Sequence, residues 1–171
     1  MQLGITIPLQ KHLKLKPPPY GEPIDLFFCW DLHIIKFHGK NSLIAVNTNN
    51  RFAVLLSGMK AADWKVMQVR LEESITSGLA SEGYKDEQIK NYFSLAGLPE
   101  ITKTHGRKSV AGLNKAVDYL YYIPVEANKN EMYQAFHCHE INRELCHAAG
   151  FEDYGYPIKF LDADMKRSGL K

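Results

Sequence analysis

WDLHIIKFHGKNSLIAVNTNNRFAVLLSGMK, residues 30–60, is the stretch from which the fold is read. It contains three apolar runs and two short polar turns. The first turn is His38-Gly39-Lys40-Asn41. The second is Thr48-Asn49-Asn50-Arg51, where asparagine suits left-handed backbone because its short side chain bonds locally. Leu43-Ile44-Ala45-Val46 and Phe52-Ala53-Val54-Leu55-Leu56 are short, apolar and rich in residues that favour buried strands. Connections this brief join antiparallel neighbours. Gly58 ends the strands, and a helical pattern follows.

Outward from this centre, Leu3 to Ile7 reads as an initial strand, with Pro8 at its end. Leu9 to Leu15 suits a short helix. Lys16-Pro17-Pro18-Pro19-Tyr20-Gly21 is a stiff breaker, readable as a surface loop or as a ligand for a proline-recognising domain. Trp64, Met67, Leu71, Ile75 and Leu79 recur at helical spacing and predict one helix over 61–83. A second helix over 85–97 closes on Gly97-Leu98-Pro99. Glu100 to Thr104 alternates like a last strand. Ser109 is the expected N-cap of a helix over 110–122, and a long helix is expected over 131–149, closed by Gly150. Together these elements predict an α+β fold: a mostly antiparallel sheet of five or six strands, with helices packed on one face. No linker divides the chain, so residues 1–171 are expected to form one domain.

Composition excludes several classes. Hydrophobic residues make up 45% and charged residues 23% of the 171, an ordinary globular mixture rather than a disordered one. The net charge of +2 does not by itself demand a nucleic-acid partner. No apolar run reaches the ~20 residues that span a bilayer, and the N-terminus lacks a signal-peptide pattern. Cys29, Cys138 and Cys146 are odd in number and widely spread, as in reduced thiols. The expectation is a cytoplasmic protein without a membrane partner.

Two constellations carry possible chemistry. In HCHEINRELCH, residues 137–147, a helix would bring His137, Glu140, Glu144 and His147 onto one face, at ~100° per residue. Glu144 and His147 have the Glu-x-x-His spacing of di-iron bundles, and zinc also takes His and Glu ligands. One straight helix cannot surround an ion, however, and the chain has no second such pair. The bland alternative is a weakly paired polar face. In TKTHGRKS, residues 102–109, the cations Lys103, Arg107 and Lys108 and the hydroxyl of Ser109 precede a helix start. Backbone N–H groups and the helix dipole favour an anion there, such as a phosphate; a solvated basic turn is the alternative. Asp31 and His33, two apart on a strand, share a face and permit a joint role. The plainer reading is two polar residues on a solvent-facing side of the strand. Arg51 is a further polar candidate. Phosphate-loop, dinucleotide, nucleophile-elbow and H-E-x-x-H patterns are all absent.

The order CWDLHIIKFHGKNSLIAVNTNNRFAVLLSGMKAADW, ITKTHGRKSVAGLNKAV, INRELCHAAGFEDYGYPIKFL resembles the bacterial family catalogued as domain of unknown function six-nine-three-three. Trp30, the Asn47–Arg51 turn with its following strand and Gly58, and the Thr104, Arg107, Ser109, Asn114 run carry the likeness. The resemblance implies a bacterial, cytosolic, single-domain α+β protein and assigns no catalytic residue. Three functions are therefore carried forward. The first is a non-enzymatic binding protein, of bacterial or mobile-element origin, acting on a protein or nucleic acid and needing no cofactor. The second is a divalent-metal enzyme using the His/Glu face. The third is a nucleotide or phosphate-ester enzyme using the basic turn.

Overall fold

The computed structural model describes residues 1–171. Its centre is a five-stranded sheet in the order β4-β3-β2-β1-β5. The strands are β1 (Gln2–Ile5), β2 (Cys29–Phe37), β3 (Lys40–Asn47), β4 (Ala53–Leu56) and β5 (Glu100–Lys103). The two tight turns join antiparallel neighbours as expected: β2, β3 and β4 form a meander, with Ile34 opposite Leu43 and Ala45 opposite Val54, although the left-handed residue of the second turn is Arg51 and not an asparagine. The other half of the sheet corrects the expectation of a mostly antiparallel arrangement. β1 lies between β2 and β5 and runs parallel to both, so the sheet is mixed. Long connections make this possible: α1 (Ile7–His12) and the proline-rich segment link β1 to β2, and parallel neighbours require such crossovers.

Helices cover both faces of the sheet, not one. On one face Trp30, Leu32, Leu43 and Val54 pack against Leu71, Ile75 and Leu79 of α3 (Met67–Ser81), Tyr92 of α4 (Asp86–Ala96) and Met165 of α7 (Pro157–Arg167). On the other, Ile35, Phe37, Ile44 and Leu55 pack against Leu113 and Leu120 of α5 (Arg107–Tyr122) and Ile141 of α6 (Ala135–Ile141). Two-sided burial explains the unbroken apolar runs of β3 and β4, in which successive side chains point to opposite faces. Each fully buried Leu or Ile contributes about 1.5–3 kcal/mol. Trp30 satisfies its ring N–H by donating to the Tyr92 hydroxyl at 2.9 Å.

Three helix boundaries differ from the sequence reading. The helix expected over 61–83 is two, α2 (Ala61–Lys65) and α3, with Val66 at φ −116° and ψ 32° between them. The α5 N-cap is Gly106 rather than Ser109, because the Ser109 side chain is bonded elsewhere. The long helix over 131–149 shrinks to α6. At its end the Asn142 side chain docks on the outer edge of β4: its Oδ1 accepts Ala53 N–H at 2.7 Å, and its Nδ2 donates to Ala53 O at 2.9 Å. Cys138 Sγ accepts Leu55 N–H at 3.2 Å, and Gln134 N–H donates to Leu55 O at 3.0 Å. Residues 134–142 thus seal an edge strand whose polar groups would otherwise be open to pairing. The chain then turns into a small hairpin of β6 (Cys146–His147) and β7 (Tyr154–Gly155). No helix is long and apolar enough to cross a membrane.

Candidate anion-binding site

The turn between β3 and β4 is held almost entirely by its own asparagines. Asn47 Oδ1 accepts from the backbone N–H of Asn49 and Asn50, and Asn50 Oδ1 accepts from Phe52 N–H. The fully buried Asp164 carboxylate of α7 accepts from Asn49 Nδ2 at 2.8 and 2.9 Å and from Asn50 Nδ2 at 2.8 Å. Anchored at both ends, the turn forces Arg51 to φ 68°. Left-handed backbone is uncommon for a residue without the local side-chain bonding of Asn or Asp, and it persists only where the surroundings determine it.

The Arg51 guanidinium is thereby laid across α5. Gly112 makes room for it: a Cβ there would stand 1.1 Å from Arg51 Nη1. Arg51 Nη2 donates to Lys108 O at 3.3 Å, and its buried Nε has no partner. No carboxylate pairs with this cation. Burial pushes its pKa down, the signature of a charge only partly compensated.

Arg51 forms one end of a cleft of about 340 Å³ between α5 and the β6–β7 hairpin. Lys115, Tyr119 and Tyr122 line the α5 side, and Glu144, Cys146, His147 and Tyr154 the opposite wall. Tyr122 is 82% and Tyr154 70% exposed, so both rings are free to be covered. His147 donates its Nε2–H to the Glu152 carbonyl at 3.1 Å and packs edge-on to Tyr154 at 5.5 Å. Burial first, then the nearby carboxylates of Glu144 and Glu140, raise the Tyr119 phenol. The Cys146 thiol is raised by burial, with Arg51 opposing. It is therefore not an activated nucleophile.

The four expected metal ligands disperse. His137 is buried, its Nε2 2.9 Å from Val125 O and its ring edge-on to Phe37. Glu140 faces His139 at 3.0 Å. Glu144 and His147 lie beyond the end of α6, which dissolves the common face. No three His, Cys, Asp or Glu side chains come together as ligands.

The basic turn also divides. Lys103 Nζ sits 4.2 Å over the Tyr20 ring, while Arg107 and Lys108 are exposed at the start of α5. Ser109 points inward and donates to Asp31 Oδ2 at 2.5 Å, so a carboxylate already occupies the place of an anion. Asp31, fully buried, also accepts from His105 N–H at 3.1 Å and meets His105 Nδ1 at 2.7 Å. His33 instead meets the Thr6 hydroxyl at 2.8 Å, and burial lowers its pKa. Asp31 and His33 therefore serve separate networks. Ser109 and His105 each bond Asp31 and not one another, so the hydrogen-bond order is not that of a nucleophilic relay.

Gly112, Lys115, Tyr119, Tyr122 and Tyr154, which line the cleft, carry little sequence signal. A glycine inside a strongly helical segment was the one available clue, since it costs about 1 kcal/mol against alanine and calls for a packing reason. Over residues 2–160 the chain matches the family Domain of unknown function (DUF6933), and it belongs to that family. No curated protein and no solved structure matches it.

Proposed function

We propose that this DUF6933 protein is a non-enzymatic binding protein whose partner is a nucleotide or nucleic-acid strand, held by a phosphate at Arg51. The observation that carries the reading is the guanidinium itself: half-buried, without a carboxylate, and with an Nε–H that has no partner. A partly desolvated cation without a counter-charge raises the free energy of the empty site, and an anion beside the guanidinium supplies that charge. Phosphate matches the planar donor fork of arginine. The tyrosines beside it offer faces on which a base stacks, worth about 1–3 kcal/mol per base. The cleft, about 340 Å³, lies within the range of small-ligand sites. Arg107 and Lys108, exposed at the start of the same helix, supply further phosphate contacts for a strand that continues past the cleft.

Fluorescence polarisation of labelled single-stranded oligonucleotides, with free nucleotides as competitors, tests this. Binding is expected, weakening as salt rises, and Arg51→Gln is expected to weaken it about ten-fold or more. Absence of binding to every phosphate-bearing probe, or full binding by Arg51→Gln, sinks the reading.

A further inference from the structure

We infer that the far end of the cleft selects nucleobases carrying an exocyclic amino group, with Glu144 and Asp118 as the selecting residues. The inference rests on the phosphate-binding reading above. Lys108, Gly112, Lys115, Tyr119 and Tyr122 follow three- and four-residue steps along α5 and so share one helix face. At 1.5 Å per residue, Tyr119 lies about 10 Å further along the axis than Gly112. Charge is graded over that distance. The cations Arg51 and Lys115 stand at one end, and the carboxylates of Asp118 and Glu144 line the cleft with Tyr119 and Tyr122 at the other. A phosphate is attracted to the first end and repelled from the second, which sets the direction of the ligand: phosphate at Arg51, base among the tyrosines.

A base stacked there presents its edge to ionised carboxylates, which only accept hydrogen bonds. Cytosine and adenine offer an amino group, and pairing of a carboxylate with the cytosine amino group is an established readout. Thymine and uracil offer carbonyl oxygens on either side of one N–H, so lone pair faces lone pair.

The test uses the full chain and labelled single strands of dA, dC and dT of equal length at one salt concentration. The dA and dC strands are expected to bind about ten-fold more tightly than dT. Glu144→Gln and Asp118→Asn exchange an acceptor for a donor at exposed positions, so folding is preserved, as an unchanged unfolding midpoint verifies. They are expected to strengthen dT binding and narrow the ratio, while Arg51→Gln weakens all three strands and leaves the ratio intact. Equal binding of the three strands by the wild-type protein, or an unchanged ratio in both carboxamide variants, overturns base selection and leaves phosphate binding standing. Failure of all three strands to bind overturns the phosphate reading and base selection together.

Discussion

The Arg51 guanidinium occupies the volume that a methyl group on Gly112 would fill, with Nη1 1.1 Å from that position. One residue ends a turn between two strands, and the other lies inside a helix. Their contact is what turns an exposed-looking basic residue into one end of a cleft.

Gly112→Ala follows directly. The added methyl meets the mobile end of a side chain, so the helix stays and the guanidinium leaves. Alanine's higher helix propensity, worth about 1 kcal/mol, offsets the lost packing. Thermal unfolding is expected to change little, while oligonucleotide affinity falls as far as in Arg51→Gln. Wild-type affinity in Gly112→Ala would remove Arg51 as the anchor.

Asn142→Ala tests the sealed edge of β4. It deletes both hydrogen bonds to the Ala53 backbone and leaves a buried N–H and C=O unpaired. The expected loss is about 2–4 kcal/mol, read from urea unfolding. Asn114→Ala, at an exposed position of α5, serves as the control and is expected to stay within about 0.5 kcal/mol. A loss below about 1 kcal/mol for Asn142→Ala would mean that other groups pair the edge.

Asp31→Ala strips the acceptor from His105 N–H, the His105 ring and the Ser109 hydroxyl at once. Destabilisation of about 3 kcal/mol or more is expected, against about 1 kcal/mol for Ser109→Ala, which removes a single donor. Equal effects of the two substitutions would show that Asp31 contributes through Ser109 alone.

Alkaline pH is expected to weaken the fold through its thiols. Burial raises Cys138 to about 12, with the Leu55 N–H opposing; burial and then Asp31 raise Cys29 to about 12. Unfolded, a thiol ionises near ~8.5. Between these values the folded state binds more protons than the unfolded state, so stability falls as pH rises from about 9 towards 12. The Tyr92 and Tyr133 phenols, also raised by burial, act in the same direction above about pH 10. Urea unfolding at a series of alkaline pH values measures the slope, and Cys138→Ala is expected to make it shallower. A flat profile in the wild-type protein would contradict the burial of these groups.

The meander was legible because its signals are local. Turn residues and apolar runs between Trp30 and Lys60 set register by themselves, since a two-residue period admits few alternatives. The α3 and α4 stripes were legible for the same reason. The 131–149 helix misled because periodicity measures the preference of an isolated segment, and here a tertiary partner competed. The Asn142 amide gains more by pairing the open edge of β4 than the helix gains by another turn. The His/Glu face vanished with that helix, and only Glu144 and His147 reappear, on one wall of the cleft.

From the chain alone came the α+β class, the antiparallel half of the sheet, the helical stripes and the family. These depend on interactions between residues close in sequence. Whether β1 ran parallel, that both faces were covered, and that Arg51, Gly112 and Tyr154 line one cleft were decided only in the tertiary structure. Each depends on which distant surfaces bury one another, and burial is non-directional and leaves no periodic mark on the segments it joins.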